Sequence, residues 1–229
     1  MKSLTRNQLK YLAVIAMLID HCAFNFYAII PPGGILWEVM HFIGRLANPI
    51  MCYFISEGYI HTRNVRRYVL RLGVFTLISW LPFSLFVYGE WPRANLGVMF
   101  TLMLGLTAII VWDKVRANIG VKLVIIALLC YISRYGDWRY INVILPLMFF
   151  IYRYDDGKKW LMYYGVVMLN IVRQLQTGGL VHLYQTGLLL FPLIMIFSYS
   201  GEGGSRSSVH KWFFYVFYPM HMIILWLLR

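Results

Sequence analysis

The chain has 229 residues, of which 60% are hydrophobic and only 13% are charged, whereas an ordinary soluble domain carries roughly 25% charged residues. This composition excludes an ordinary water-soluble protein and favours an all-α integral membrane protein. The formal net charge of +12 suggests a polyanionic partner at first sight, but its distribution along the chain has another explanation.

Apolar stretches long enough to cross a bilayer as a helix, about 20 residues each, recur along the whole sequence. They predict a polytopic helix bundle of about nine spans, within a range of eight to ten, in a single transmembrane domain over residues 1–229. The sixth and seventh spans are short for a bilayer and are candidates for tilted, re-entrant or broken helices. In chain order the predicted spans are Tyr11–Ile30, Leu36–Tyr59, Tyr68–Val87, Leu96–Trp112, Ile119–Ser133, Tyr140–Tyr152, Trp160–Val172, Leu180–Tyr199 and Trp212–Leu228.

The basic residues are distributed unequally between the two sides of the predicted membrane. If the N-terminus is cytoplasmic, 15 of the 21 Lys and Arg lie inside, five lie outside and Arg45 lies within a span. This asymmetry follows the positive-inside rule, so we predict an integral membrane protein with a cytoplasmic N-terminus, an outer C-terminus and no nucleic-acid partner. The inner set is Lys2, Arg6, Lys10, Arg63, Arg66, Arg67, Arg71, Lys114, Arg116, Lys122, Arg153, Lys158, Lys159, Arg206 and Lys211; the outer set is Arg93, Arg134, Arg139, Arg173 and Arg229.

The first predicted span carries Asp20 and His21 side by side near its middle. A charged side chain at the centre of a bilayer costs roughly 2.5–3.5 kcal/mol on insertion scales, so a functional role is the default interpretation. Neighbouring residues on a helix point about 100° apart, so the two side chains cannot face each other. Asp20 therefore needs a partner from another helix, and Arg45 and His221 are the candidates.

Further polar residues lie at similar depth in two other spans. His41 and Arg45 are four residues apart and share a helix face, with Asn48 three residues further along. The last span contains the stretch YPMH, Tyr218–His221, where the proline should kink the helix. Polar positions at one depth on three helices predict one buried site. The alternative is a purely structural ion pair with histidines that bridge the helices.

A basic segment follows the second span on the predicted cytoplasmic side. Arg63, Arg66, Arg67 and Arg71 lie within about two helical turns of one another. Guanidinium groups match the geometry of phosphates, so a phosphorylated cytoplasmic ligand is one interpretation, and topology with lipid headgroups is the other. A phosphate-bearing donor above a polar site in the membrane is the layout of a trans-bilayer group transferase.

Four stretches, MLIDH, IGRLANPIMCYFISEGYIHTRN, LGVMFTLMLG and the terminal KWFFYVFYPMHMIIL, resemble one known family across nearly the whole chain. That family is the TraX family of pilin acetylases, which in turn resembles the multispan membrane acyltransferases that use cytoplasmic acyl-CoA. Its most specific features are an Asp-His in the first span and a Tyr-Pro-x-His in the last. The resemblance implies an acetyltransferase that uses acetyl-CoA and acts on an amine or hydroxyl of a pilin or other exported peptide, a glycan or a lipid.

The resemblance assigns roles at the positions that match the family's motifs. These are Asp20 and His21; Gly44, Arg45 and Pro49; Glu57, Gly58, His61, Thr62 and Arg63; and Tyr218, Pro219 and His221. We accordingly assign catalysis to His21, Asp20, His221, Arg45 and Tyr218, and binding of acetyl-CoA to Arg63, Arg66, Arg67, Arg71, His61 and Glu57. The chain departs from the family at YGDWRYINVIL, where Asp137 is the candidate for the family's acid and a second glycine is missing.

The implied reaction is direct acyl transfer without a metal. His21 is the predicted general base, a role worth roughly 10²–10⁴-fold in rate, although the sequence leaves open whether His221 is the base instead. Arg45 or the hydroxyl of Tyr218 is expected to stabilise the oxyanion. No serine or cysteine stands out in the sequence beside a base, which disfavours an acyl-enzyme.

Two other classes of function fit part of the pattern. Asp and His at mid-depth also serve proton relays, as in a proton-coupled transporter, but the sequence shows no inverted repeat. A non-catalytic scaffold for pilus or envelope assembly is the second alternative. Cys22, Cys52 and Cys130 show no ligand spacing, so no metal site is expected. The sequence leaves the acceptor and the oligomeric state open.

Overall fold

A computed structural model of the chain describes residues 3–90, 94–203 and 208–229. The described residues form helices and connecting turns, with no named strand among them, so the predicted all-α class is confirmed for this part of the chain. Three basic residues of the charge pattern, Lys2, Arg93 and Arg206, lie outside the described part. The side chain of a fourth, Lys211, also lies outside it.

The described ranges contain ten α-helices and two 3₁₀ segments. The α-helices are α1 Arg6–Asn25, α2 Ile35–Gly44, α3 Ala47–His61, α4 Val65–Tyr88, α5 Gly97–Lys114, α6 Ile119–Ile132, α7 Ile141–Ile151, α8 Asp156–Gly178, α9 Leu190–Phe197 and α10 Ser208–Leu227. A short 3₁₀ turn, Ser133–Tyr135, precedes α7, and a longer 3₁₀ segment, Gly179–Leu189, joins α8 to α9.

The predicted second span is interrupted, which corrects the expectation of one continuous helix. α2 ends at Gly44 and α3 begins at Ala47. In a continuous helix the backbone N–H of residue 49 would donate to the carbonyl of Arg45. Pro49 has no backbone N–H, so this hydrogen bond cannot form. The N–H of Leu46 instead bonds to the carbonyl of Ile43, three residues back, at 3.1 Å. The proline therefore explains the position of the break.

The two spans predicted to be short differ from each other. α7 is short, with 11 residues. α8 has 23 residues, so the prediction of a short seventh span is wrong: the helix continues beyond Val172 through the polar residues Arg173 and Gln174. The predicted eighth span, Leu180–Tyr199, begins in the 3₁₀ segment rather than in an α-helix.

Two of the described helices, α4 and α5, are long and apolar enough to cross a membrane, judged by length and composition. Shorter apolar helices occur at Ile141–Ile151, His182–Phe197 and Trp212–Leu227. A buried core helix of a soluble protein can have the same length and composition. The two long helices therefore indicate membrane association but do not establish nine spans.

The chain divides into two compact units, each described here by itself. The first unit comprises Met1–Met51 with Tyr164–Arg229, and the second comprises Cys52–Tyr163. In the first unit, α1 packs against α2 and α10, and α2 packs against the 3₁₀ segment. In the second unit, α5 is central and packs against α4, α6 and α7.

Candidate active site

Asp20 belongs to the buried stripe of α1. Leu9, Ala13, Ala16 and Ala23 are at most 1% exposed, and their spacing of three, four and seven residues defines one helix face. Asp20 occupies the position of that stripe between Ala16 and Ala23. The helix that buries these small side chains therefore also buries the carboxylate, and the Asp20 side chain is 15% exposed.

The Asp20 carboxylate binds two side chains of the α2 segment. Its Oδ1 accepts from Nη2 of Arg45 at 2.5 Å and from Nδ1 of His41 at 2.8 Å. The Arg45 side chain is 14% exposed, so the ion pair lies where solvent screens charge poorly. Of the two partners predicted for Asp20, Arg45 is confirmed. The other candidate, His221, does not bond to Asp20: the second bond of the carboxylate is to His41, and His221 bonds to His21.

Gly44 permits this close approach of α1 and α2. A Cβ atom built at Gly44 overlaps the Cβ and carboxylate atoms of Asp20. No side chain larger than hydrogen fits between the backbone of α2 and the acid. The glycine beside Arg45 is thus explained by packing against Asp20 rather than by an unusual backbone angle.

His21 lies on a second face of α1, which contacts α10. Three side chains of α1 form hydrogen bonds to residues of α10, and the residue numbers of the bonded pairs rise together along both helices, so α1 and α10 run parallel. The bonded pairs are the hydroxyl of Tyr11 with Nδ1 of His210 at 2.7 Å, Nδ1 of His21 with Nε2 of His221 at 2.7 Å, and the amide of Asn25 with the carbonyl of Leu225 at 2.9 Å.

The hydrogen bonds assign the protons of this histidine pair. Nδ1 of His221 lies 2.8 Å from the carbonyl oxygen of Phe217, which only accepts, so Nδ1 must donate. Nε2 of a neutral His221 then carries a lone pair and accepts from Nδ1 of His21. A neutral His21 has its own lone pair on Nε2, which is therefore the basic nitrogen of the pair.

Tyr218 and Pro219 lie beside the histidine pair. Tyr218 is 4% exposed, and its ring centroid is 5.9 Å from that of His221. α10 runs through Pro219 without ending there. All five predicted catalytic residues therefore belong to the first unit, in two clusters: Asp20 with Arg45, and His21 with His221 and Tyr218.

Two residues of this region, Glu38 and Tyr184, were not predicted to belong to the site, whereas His41 was predicted there without a role of its own. Tyr184, in the 3₁₀ segment, donates its backbone N–H to Oε2 of Glu38 at 3.2 Å. Its ring lies 5.1 Å from the ring of His41, and the guanidinium of Arg45 lies 5.1 Å above its centroid. The spacing of Glu38, His41 and Arg45, three and four residues apart, predicts that the three side chains lie on one face of the helix. No sequence signal indicated Tyr184, because it reaches α2 from 146 residues away.

The residues assigned to acetyl-CoA lie in the second unit. At the end of α3, Nδ1 of the exposed His61 bonds to the carbonyl of Glu57 at 2.9 Å and lies 3.8 Å from its carboxylate. Arg63, Arg66 and Arg67 are exposed. Arg71 is half-buried, with its guanidinium 5.4 Å from the centroid of the Tyr68 ring.

Three of these arginines surround the N-terminus of α4. Asn64 caps this helix, and its Oδ1 accepts from the backbone N–H of Arg67 at 2.9 Å. The N-terminus of a helix carries a partial positive charge, so cations there are unfavourable by about 0.3–1 kcal/mol and anions are favourable. Arg63, Arg66 and Arg67 thus add positive charge where the backbone already attracts anions.

Comparison with known proteins places the chain in a family. The sequence model described as "TraX protein" matches residues 5–229. The chain belongs to the TraX family. It is also 32% identical over 233 residues to the "Probable fimbrial assembly protein FimC, serogroup H1" of Dichelobacter nodosus, with 95% of this chain and 93% of that protein covered. No solved structure matches this TraX protein.

The two most specific motifs of this TraX protein meet in the folded chain. The Asp-His pair lies on α1 and the Tyr-Pro-x-His stretch lies on α10, and the bond between His21 and His221 joins them. The motif residues of the second stretch, Gly44 and Arg45, contact Asp20 from the opposite side. The motif residues near both ends of the sequence therefore lie together in the first unit.

Proposed function

We propose that this TraX protein is a membrane-embedded acetyltransferase that moves an acetyl group from cytoplasmic acetyl-CoA to an amine or hydroxyl acceptor. The observation that carries the proposal is the hydrogen-bonded series from the Phe217 carbonyl through His221 to His21, because it leaves a basic nitrogen of known identity in the site. The relative's name, a fimbrial assembly protein, supports an acceptor among fimbrial or pilin subunits; another exported peptide, a glycan and a lipid belong to the same proposal.

In this proposal His21 is the general base and His221 positions it. When Nε2 of His21 takes the proton of the attacking group, Nδ1–H of the resulting imidazolium still donates to Nε2 of His221. Hydrogen bonds from a charged donor are roughly twice as strong as neutral ones, so the pair gains strength as the proton arrives. This arrangement orients a base and stabilises its charged form, as a third group does in a catalytic triad.

Asp20 and Arg45 act on a second histidine rather than on His221. Asp20 accepts from Nδ1 of His41, which fixes the proton of His41 on that nitrogen and turns Nε2 away from the acid. Arg45 balances the charge of Asp20. In the proposed reaction Arg45 or the Tyr218 hydroxyl stabilises the negative charge that develops on the acyl oxygen, an effect that is large where water is excluded.

The proposed donor site is formed by Arg63, Arg66, Arg67 and Arg71, with His61 and Glu57 beside them. The fit to a nucleotide donor is supported by the exposed guanidinium groups at the N-terminus of α4, where backbone N–H groups also favour phosphates. Acetyl-CoA, when bound, supplies an acyl group activated as a thioester. The arginines hold its phosphates and keep the donor on the cytoplasmic side.

The proposed topology has nine spans, a cytoplasmic N-terminus and an outer C-terminus in the bacterial inner membrane. The ten described α-helices fit nine spans if α2 and α3 together form the interrupted second span. An odd number of spans is supported by the parallel course of α1 and α10, because parallel first and last helices leave the chain ends on opposite sides.

Binding and transfer with the purified full-length protein in detergent test the proposal. We expect the wild type to bind acetyl-CoA and to transfer labelled acetyl to at least one of three acceptors: a fimbrial-subunit peptide with a free N-terminus, a glycan and a lipid. His21→Ala should bind acetyl-CoA and lose transfer, because a base acts in the transition state. His210→Ala is the matched control, since His210 is also a histidine of α10 bonded to α1. A folded wild type that does not bind acetyl-CoA would indicate a scaffold.

A further inference from the structure

Asn48 is a buried asparagine of the first unit whose side-chain amide is unmatched. It is 4% exposed, and neither its Nδ2 nor its Oδ1 has a hydrogen-bond partner among the residues that the structure describes. Burial of a polar group without a partner is unfavourable, so the large majority of buried polar side-chain atoms are hydrogen-bonded. Both ends of this amide can therefore bond to a polar group that enters the site.

The position of Asn48 in the chain places this amide at the N-terminus of a helix. α3 begins at Ala47, after the break that follows α2, and has 15 residues, so Asn48 is its second residue. The first N–H groups of an α-helix have no partner within that helix and carry a partial positive charge. Because the Cα–Cβ bonds of a helix tilt toward its N-terminus, the Asn48 side chain leans toward these N–H groups. The donors of the side chain and of the backbone therefore lie together at the break.

Arg45 connects this N-terminus to Asp20. Arg45 follows α2 directly and keeps helical backbone angles, φ −60° and ψ −20°, so the chain enters the break on a nearly helical course. Residues three apart on such a course are neighbours on one face, which places Asn48 beside Arg45. The guanidinium of Arg45 bonds to Asp20 at 2.5 Å, and Asp20 precedes His21 in the chain. The unmatched amide thus lies beside residues that the proposed reaction uses.

We infer that Asn48 is a catalytic residue, and that its Nδ2 donates to the acyl oxygen of the donor in the transition state. The guanidinium of Arg45, the first N–H groups of α3 and Nδ2 of Asn48 are all hydrogen-bond donors. Donors held in place where water is excluded stabilise negative charge that develops on an oxygen. The inference rests on the proposed function and adds Asn48 to the groups, Arg45 or Tyr218, that stabilise this charge.

Each polar atom of the amide has a partner during the reaction. A lone pair of the attacking amine or hydroxyl forms the bond to the thioester carbon, and the electrons of the C=O double bond move onto its oxygen, which accepts from Nδ2. The attacking atom is now on the same carbon, and its hydrogen is donated to Oδ1 before Nε2 of His21 takes the proton. The C=O double bond then re-forms, the C–S bond breaks, and the CoA thiolate recovers the proton from His21.

Asn48→Leu separates this catalytic role from a structural one. Leucine has a similar shape and removes two unmatched polar atoms, so we expect the melting temperature to stay the same or to rise. We expect kcat for acetyl transfer to fall about 10²–10³-fold, as on loss of one oxyanion-hole donor, with the affinity for acetyl-CoA unchanged. Asn48→Ser keeps one donor and should recover part of the rate, whereas Asn48→Asp introduces a negative charge and should not.

Asn142→Leu is the matched control. Asn142 is also a fully buried asparagine, but its Nδ2 donates to Thr101 at 3.0 Å and its Oδ1 accepts from Cys52 at 3.3 Å. We therefore expect Asn142→Leu to lower the melting temperature and to leave kcat of the folded protein unchanged. An unchanged kcat in Asn48→Leu would overturn the inference, because the amide would then bind water only. A melting temperature of Asn48→Leu as low as that of Asn142→Leu would also count against it.

The carbonyl stretch of bound acetyl-CoA tests the same contact without any acetyl transfer. With an isotope label at the acetyl carbonyl, difference infrared spectra of the purified full-length protein in detergent measure the hydrogen bonding of that oxygen. We expect the stretch at a lower frequency in the wild type and in Asn142→Leu than in Asn48→Leu, because a hydrogen bond to the oxygen weakens the C=O bond. Equal frequencies in the wild type and Asn48→Leu would contradict the contact.

The outcomes separate this inference from the proposed function. If acetyl-CoA binds and is transferred, and Asn48→Leu keeps the wild-type kcat and carbonyl frequency, the acetyltransferase proposal holds and the role of Asn48 fails. If the carbonyl frequency of bound acetyl-CoA depends on Asn48 and no acceptor is acetylated, the contact holds and the acetyltransferase proposal fails. If acetyl-CoA does not bind to the folded wild type, both fail.

Discussion

Nδ1 of His21 and Nε2 of His221 lie 2.7 Å apart, and the two ring planes differ by 3°, although 200 residues separate them in the chain. The shared orientation of the rings allows a hydrogen bond between the two side chains, one of three that join α1 to α10. We therefore expect the two side chains to act as one unit in the proposed reaction, so that their substitutions do not have independent effects.

His21→Ala and His221→Ala should each lower kcat/KM for acetyl transfer by about 10²-fold or more, the range expected for loss of a general base or of its orientation. The double variant should be little worse than the worse single variant, because both changes disable the same unit. Steady-state transfer assays with all three variants measure this. If His21→Ala stays within a few fold of the wild type and His221→Ala is inactive, the base is His221 and His21 supports it.

Removing one charge of the Asp20–Arg45 ion pair should destabilise the protein more than removing both charges. Arg45→Met leaves a buried carboxylate with no cation and should lower the free energy of unfolding by about 3–5 kcal/mol. Asp20→Asn combined with Arg45→Met removes both charges and should be clearly more stable than Arg45→Met alone. Thermal unfolding in one detergent at fixed pH compares them. A double variant no more stable than Arg45→Met would show that the buried charge is not the cause.

Gly44→Ala should destabilise the first unit, because the added methyl overlaps the Asp20 side chain and overpacking typically costs about 1–3 kcal/mol. Gly165→Ala is the matched control: it also lies within an α-helix, and a Cβ there has no neighbour within 4 Å. Replacement of an exposed helical glycine by alanine should stabilise by about 0.5–1 kcal/mol. We expect Gly44→Ala to lower the melting temperature and Gly165→Ala to raise it. Equal shifts in the two variants would refute the packing argument.

The arginines at the start of α4 should matter for the donor rather than for the fold. Arg66→Gln with Arg67→Gln should weaken binding of acetyl-CoA, and the loss should shrink as salt is raised, because exposed charges are screened. Removing cations from a helix N-terminus should leave stability unchanged or slightly higher. Arg116→Gln with Lys158→Gln removes two exposed charges from the same predicted side. Equal donor affinity in both double variants would assign the cluster to topology.

The two ends of the chain should lie on opposite sides of the membrane. α1 and α10 run parallel, and the basic residues favour a cytoplasmic N-terminus. An N-terminal tag should be accessible only from the cytoplasmic side, and a reporter joined after Arg229 should be active only outside. Detection of both ends on the same side would require an even number of spans and would contradict the prediction of nine.

Much of the site could be predicted from the sequence because ionisable residues in apolar helices are few and costly. Asp20, His21 and His221 follow from that rule, and Arg45 follows as the cation of the next span. The sequence also left His221 open as a candidate partner of Asp20, because the depth of a residue along a helix does not tell which helix face meets which neighbour. Because His41 and Arg45 share a helix face, a partner of one is within reach of the other, and both bond to Asp20.

The remaining differences have local and long-range causes. The break after Gly44 was readable in principle, since Pro49 cannot complete the bond that a continuous helix requires. The 3₁₀ segment Gly179–Leu189 was not predicted, because it runs directly into the apolar helix α9 and the sequence therefore predicts one span, Leu180–Tyr199. Tyr184 contacts α2 only through that segment, so its position depends on packing across the whole first unit.

The carbonyl of Phe217, at which the histidine series ends, limits what the site can do with a proton. An amide oxygen is a very weak base, so a proton delivered to His21 cannot continue past His221 along this route. Conduction across a membrane requires an entrance and a separate exit, and the Phe217 carbonyl is not an exit. A proton that passes from His21 to His221 therefore returns to His21. That behaviour suits the proposed reaction, in which the departing thiolate recovers the proton within the same turnover, better than it suits a relay through this carbonyl.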